Sequence, residues 1–380
     1  MNPRALLTYC QSELPAMLDC LQQVVEMESP TNSKAEVDRL GNFLARELKR
    51  SHAKVQILKH ARAGAAVVAE LFGKSGRGVK PILLLGHLDT VWDLGTLSRM
   101  PFKIRGDRAY GPGILDMKSG IVCGLWALGA LQALKISPAG PVRFFLNSDE
   151  EASSLAFRKQ LMAEAKKAKA VLVLEPAAVA GALKTERKGT GEFRITVCGR
   201  SAHAGINPAA GVNAISELTR QLLRVEKLAR PHKGLTLSVG TISGGTRTNV
   251  IPERASATID VRIPHVEDRE MIERRVCSLK PINPEALLEI QGGINRPPME
   301  RARAVHLFRR ARELGWEMGM ELAEASTGGG SDGNFTAALG IPTLDGLGGV
   351  GDGAHALDEH IIVRELPRRA ALLAALIATL

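Results

Sequence analysis

Three short apolar runs in the first half of the chain each stop abruptly at acidic or histidine residues. Ile82–Leu85 leads into Gly86-His87-Leu88-Asp89, Val142–Leu146 into Asn147-Ser148-Asp149-Glu150-Glu151, and Val171–Leu174 into Glu175-Pro176. Continuous apolar, β-prone runs of this length read as strands buried on both faces, and helical patterns over Gly120–Leu134 and Ser153–Lys169 lie between them. The alternation predicts an α/β layer, a mostly parallel mixed sheet between helices. In such sheets ligands bind beyond the carboxyl ends of the strands. All three polar clusters fall at those ends, so the pattern marks a candidate site before any single residue is weighed.

After about Thr185 the pattern changes. Phe193–Val197 alternates like a half-exposed strand, Val212–Leu228 is helical, Leu235–Ile242 and Ala255–Arg262 alternate again, and Met271–Leu279 is helical. The order strand, helix, strand, strand, helix, strand predicts an inserted α+β domain, ferredoxin-like, with a four-stranded antiparallel sheet. The expected organisation is a first domain over 1–187, the insert over 188–299, and a return to the first domain over 300–380. A helix at His306–Leu314, the glycine run Gly328–Gly330 and a terminal helix at Leu366–Leu380 complete the first domain. With 380 residues, 45% of them hydrophobic, the chain has material for two cores and is not globally disordered.

The net charge of +10 has three readings: a basic surface, a positive cleft that attracts anionic substrates, or nucleic-acid binding. Aromatics are only 4% and the basic residues are scattered, which argues against nucleic acid as a partner. Five widely spaced cysteines without a C-x-x-C form neither a disulfide framework nor a thiolate zinc site, and point to a reducing cytoplasm. The first 27 residues read as an amphipathic helix rather than a signal peptide. The terminal AALLAALIATL is shorter than the ~20 apolar residues that span a bilayer, so no membrane is expected as a partner.

Each cluster has a bland reading beside a chemical one. In an extended chain His87 and Asp89 point the same way, which suits a metal ligand and its orienting carboxylate, or simply a strand-end histidine and a cap. Asp116, in Tyr110-Gly111-Pro112-Gly113-Ile114-Leu115-Asp116-Met117-Lys118, either caps the next helix or is carried by its glycine-rich approach into a cleft to bridge two metals. Asp149-Glu150-Glu151 is either a solvated turn or a set in which one acid binds metal while its neighbour takes a proton from water. Glu175 is a weak signal alone, and His355 and His360 compete for one role in a glycine-rich loop. Together, two histidines and three or four carboxylates without cysteine suit zinc or a similar divalent ion.

The stretches LLLGHLDTVW, YGPGILDMKSG, NSDEE, LEP, GRSAHAGINPAAGVNA, SGGTRTNVIPERASATIDVR, TGGGSDGNF and GAHALDEH, in this order, resemble the zinc aminopeptidase/carboxypeptidase/aminoacylase superfamily. Within it the chain is most similar to the glutamate carboxypeptidases of the carboxypeptidase G type. The resemblance implies two Zn2+ per subunit, with Co2+ or Mn2+ as substitutes. His87 and Glu175 would hold one ion, Glu151 and His355 the other, and Asp116 would bridge them before a cis peptide to Met117. It also implies Asp89 as the partner of His87, Glu150 as general base and then acid, and His355 rather than His360 as the ligand.

His203, in S-A-H-A-G, would stabilise the oxyanion from the partner subunit of a homodimer built through the insert. Asn249, Arg262, Arg296 and the backbone of Gly329, Gly330 and Ser331 would receive a free carboxylate, which an arginine fork matches bidentately. The implied activity is release of a C-terminal amino acid, glutamate by family likeness, from an N-acyl or peptide conjugate. Rival readings are an N-acyl amino acid deacylase of the acetylornithine or succinyl-diaminopimelate type, a dipeptidase, and a non-catalytic binding module. The intact ligand set argues against the last. One departure stands out: Ala152-Ser153-Ser154 follows Glu150-Glu151 where relatives usually carry glycine-rich sequence.

Overall fold

The computed structural model describes residues 1–73, 78–229 and 233–380. These form two compact units, one of Met1–Glu186, Glu300–Thr327 and Ser331–Leu380, the other of Arg187–Met299 with Gly328–Gly330.

The first unit is built on a mixed sheet in the order Lys54–Leu58, Ala66–Leu71, Val142–Asn147, Ile82–His87, Ala170–Val173, Thr343–Leu344. The last four run parallel, and the first two are antiparallel additions at one edge. All six residues of Ile82–His87 are buried, as a doubly covered strand requires. Because this strand lies between Val142–Asn147 and Ala170–Val173, the polar clusters that follow the three strands emerge side by side, with His87 in register with Asn147.

The helix Ser119–Ala133 packs beneath this sheet and against the terminal helix Glu365–Thr379. Gly120 makes the close approach possible, since a Cβ there would lie 1.9 Å from the Leu174 carbonyl oxygen. The longer stretch Ile114–Ala133 has the length and apolarity of a membrane span, but 83% of its apolar window is buried inside the fold. It is also not one helix, because Asp116 and Met117 leave helical backbone angles.

Two expectations need correction. The N-terminal segment is two helices, Pro3–Ser12 and Leu14–Glu26, broken where Pro15 opens the second. The helix expected over Ser153–Lys169 begins only at Arg158, because Ser153 and Ser154 take left-handed angles (φ 69° and 55°) that an α-helix does not admit.

The second unit is a four-stranded antiparallel sheet in the order Thr236–Gly244, Arg254–Ile263, Gly189–Cys198, Leu287–Arg296. The helices Ala214–Ala229 and Glu267–Cys277 contribute to its core, where Leu218, Leu222 and Ile272 join Phe193, Ile195, Ile259 and Val261. With two helices and this strand order, the unit has the ferredoxin-like arrangement expected from the sequence. Thr236–Gly244 is an edge strand and almost wholly exposed.

Candidate metal centre

The site in the first unit is assembled from loops that leave adjacent strand ends. His87 closes Ile82–His87 and is almost fully buried. Its Nδ1 lies 2.9 Å from the Asp89 carbonyl oxygen and 3.5 Å from Asp89 Oδ1. Its Nε2 faces Asp116 Oδ1 at 3.2 Å and Glu175 Oε1 at 3.5 Å. The other oxygen of Asp116, Oδ2, lies 3.5 Å from His355 Nε2, which is itself 3.4 Å from Glu151 Oε1. One carboxylate therefore faces two imidazoles, with a glutamate beside each.

Asp116 does not cap the helix that follows. The cap position belongs to Lys118, which makes no side-chain cap bond. The peptide between Asp116 and Met117 is cis. His355 sits at φ 64° in a loop, whereas His360 begins the strand His360–Ile362, with its Nδ1 against the Asp358 carbonyl oxygen and its ring on Tyr110. Of the two histidines, His355 is the one brought to the acids.

Asp89 is fully buried and does more than face His87. Its Oδ1 accepts the backbone N–H of Glu150 and its Oδ2 that of Glu151, both at 3.1 Å, and Thr31 Oγ1 donates to Oδ2 at 2.8 Å. The loop carrying the paired glutamates is thus hung from the residue beside His87. Ligand atoms of His87, Glu150 and Glu175 lie within 4.8 Å of one another, as do those of His87, Asp116 and Glu151. The first of the three acids, Asp149, accepts from Ala156 N at 2.6 Å instead.

The electrostatics are those of a cation site. Burial disfavours a charged His87, yet Asp116, Asp89 and Glu175 together raise its pKa well above the ordinary value. The carboxylate of Asp116, then that of Glu151, pushes His355 up to about 10. Burial alone would raise Asp116, but the two imidazoles hold it well below the usual carboxylate range. Burial pushes Glu151 upward, and its Oε1 is buried without a hydrogen-bond partner among the described residues. An orphaned carboxylate oxygen facing an imidazole across 3.4 Å, in a set of oxygen and nitrogen donors, fits a zinc-like divalent ion.

The remaining candidates lie mostly in the second unit. His203 is exposed, and its Nδ1 accepts from Gly205 N and Ile206 N at 3.1 Å, which leaves the proton on Nε2. Asn249 is its neighbour, with its carbonyl oxygen accepting from Ala204 N. Arg262 is gripped bidentately by Asp260, both bonds 2.8 Å, and reaches the Gly328 carbonyl oxygen. Arg296 is buried at the end of its strand, beside Gly330. Ser331, in the first unit, is buried, with its hydroxyl on Asp345 and its N–H on Asn334.

Sequence reasoning missed Thr31, Arg187 and Glu359. Arg187 is buried and donates to the carbonyl oxygens of Gly329 and Gly330, both at 3.2 Å. Glu359 lies in GAHALDEH, the stretch that also carries His355.

These oxygen and nitrogen donors gather at the carboxyl ends of the parallel strands, where ligands of such sheets bind. The chain belongs to peptidase family M20/M25/M40, whose model matches residues 83–379. It is 32% identical to carboxypeptidase G2 of Pseudomonas sp. (strain RS-16), over 97% of this chain and 90% of that one. It is 27% identical to succinyl-diaminopimelate desuccinylase of Dechloromonas aromatica, over 80% of this chain and 85% of that one. Among solved structures, aminopeptidase PepT of Bacillus cereus superposes with a TM-score of 0.80 at 21% identity, covering 96% and 98% of the two chains. The metallo-carboxypeptidase Sso-CP2 of Sulfolobus solfataricus gives 0.76 at 16%, covering 95% and 98%.

Proposed function

We propose that this protein hydrolyses the amide bond joining an acyl or peptidyl group to a C-terminal amino acid with a free carboxylate, glutamate foremost. The observation that carries this reading is Asp116, whose two oxygens face His87 and His355 with Glu175 and Glu151 alongside. His87, Glu175 and Asp116 would hold one ion and Asp116, Glu151 and His355 a second. A dinuclear metal-binding peptidase of the same family, YxeP of Bacillus subtilis, shares the fold with a TM-score of 0.68. We take zinc as the metal, with cobalt or manganese as substitutes. Such ions, when bound, supply Lewis-acid polarisation of the amide carbonyl and make water a stronger acid near neutral pH.

The chain's own groups do the rest. Glu150 takes the proton of the attacking water and delivers it to the leaving nitrogen. Its position is set by Asp89 through the backbone bond at 3.1 Å. His203, with its proton on Nε2, serves as the oxyanion donor from the partner subunit of a homodimer. The exposed edge strand Thr236–Gly244, with Ile242 61% exposed, supports dimerisation through the second unit. Asn249, Arg262, Arg296 and the Gly329-Gly330-Ser331 segment are the proposed carboxylate-recognition groups, Ser331 as a support for the segment. For glutamate, the support is the likeness to carboxypeptidase G2. Five free cysteines support a reducing cytoplasm.

The desuccinylase relatives favour one second reading, an N-acyl amino acid deacylase using the same groups. The test is a zinc-loaded panel of an aroyl-glutamate, N-acetylornithine, succinyl-diaminopimelate and a free dipeptide, with Glu150→Ala as control. Glutamate release that depends on Glu150 supports the first reading. Preference for the acetyl or succinyl substrate moves the protein to the second. A dipeptide preference, or no zinc bound and no turnover, overturns it.

A further inference from the structure

Glu359 lies four residues after His355 and is fully buried, yet it is neither a proposed ligand nor part of the proton path. Its Oε1 accepts the backbone N–H groups of Leu115 and Asp116 at 2.8 and 3.0 Å. Its Oε2 accepts Gly113 N and Trp92 Nε1, both at 2.9 Å. Trp92 belongs to the segment that follows Asp89, and Gly113 to the turn that delivers Asp116. That turn is tight: Gly113 has φ 69°, and a Cβ there would lie 2.5 Å from Thr90 Cγ2. Three segments bearing site residues therefore meet on a single carboxylate.

We infer that Glu359 is a positioning residue that fixes the bridging carboxylate of Asp116, so that both metal positions depend on it. The inference rests on the two-metal reading above. A bridging carboxylate must aim two oxygens at once, and Asp116 Oδ1 and Oδ2 face imidazoles on different segments. A backbone free to rotate would satisfy one imidazole at the expense of the other. Glu359 removes that freedom by binding the N–H of Asp116 itself together with those of Leu115 and Gly113. Glutamine has the same shape, but its NH2 would meet N–H donors, so about half of the bonds would be replaced by donor–donor contacts.

The experiment is Zn2+ titration of the metal-stripped full chain against a chromophoric chelator, in parallel with Co2+ absorption spectra. Circular dichroism is recorded for each protein. Glu359→Gln is expected to lower Zn2+ affinity about 10–100-fold and to alter the Co2+ spectrum, with secondary structure unchanged. Glu359→Asp, which keeps the charge but loses reach, and Trp92→Phe, which removes one donor, are expected to fall between. Native Zn2+ affinity and Co2+ spectrum in a folded Glu359→Gln protein would overturn the inference, even if its melting temperature fell. Should that variant not fold, native affinity in both Glu359→Asp and Trp92→Phe would overturn it equally. Failure of the unaltered chain to bind Zn2+ would overturn the two-metal reading and this inference together.

Discussion

The carboxylate of Asp89 holds the backbone N–H of Glu150 at 3.1 Å with the same oxygen that lies 3.5 Å from His87 Nδ1. One side chain thereby ties the proposed base to the proposed ligand. Asp89→Asn would turn an amide NH2 either toward His87 and the Glu150 N–H or toward the Glu151 N–H and the Thr31 hydroxyl. Activity is expected to fall about 10–100-fold with weaker Zn2+ binding, the usual scale for losing a ligand's partner. Parallel kcat and Zn2+ titrations check this, and loss of neither would refute the coupling.

Glu150→Gln keeps the shape of the side chain and removes its basicity. Hydrolysis is expected to drop by about 10²–10⁴-fold, while Zn2+ stoichiometry stays unchanged. A drop in metal content equal to the drop in rate would instead make Glu150 a ligand, an outcome its closeness to His87 and Glu175 makes worth measuring.

Ser153 and Ser154 are adjacent, and both have positive φ. Left-handed backbone costs an L-residue roughly 1–2 kcal/mol, part of which glycine would return in the unfolded chain. Ser153→Gly is therefore expected to stabilise the protein by about 0.5–1 kcal/mol in urea denaturation. Ser154→Gly should do the opposite, by about 1–2 kcal/mol, because the buried Ser154 hydroxyl donates to Asp332 and accepts from Asn147. Equal effects of the two substitutions would show that the hydroxyl is idle.

Glu217 is buried in the second unit and accepts from Ile282 N at 2.8 Å, Asn283 N at 3.0 Å and Gln221 Nε2 at 2.7 Å. Burial would raise its pKa, but these donors outweigh it and hold the group below its ordinary 4.5. Its stabilisation is thus present above 4.5 and lost as pH falls through the lower, folded value. At pH 7 Glu217→Gln is expected to cost about 1–3 kcal/mol, read as faster hydrogen exchange at Ile282 and Asn283. The difference from the unaltered protein should shrink in acid; a constant difference down to about pH 3 would contradict the assignment.

The strands that build the site were legible because Ile82–Leu85 and, save for Arg143, Val142–Leu146 are apolar runs, and their polar clusters begin where the runs end. The insert was legible for a similar reason. Gly189–Cys198 and Arg254–Ile263 alternate buried with less buried residues, the pattern of a sheet covered on one face. Its last strand, Leu287–Arg296, was harder to place, because Gly292 and Gly293 interrupt it, with Gly292 at φ 109°. The helix predicted from Ser153 failed at its start because a periodic pattern says nothing of the bonds that hold Ser154 to Asp332, 178 residues away.

Local periodicity and strand-end chemistry were determined by the sequence alone, since each depends on residues close together in the chain, and motif order was read directly along it. Which groups the two oxygens of Asp116 face, and which of His355 and His360 lies at the acids, were decided only in three dimensions. Asp116 meets His87 and His355 through pairings that span 29 and 239 positions. Glu359 meets the turn before Asp116 across more than 240. Contacts of that separation exist only after the parallel strands have aligned their carboxyl ends, because no local preference directs one side chain toward another so far along the chain.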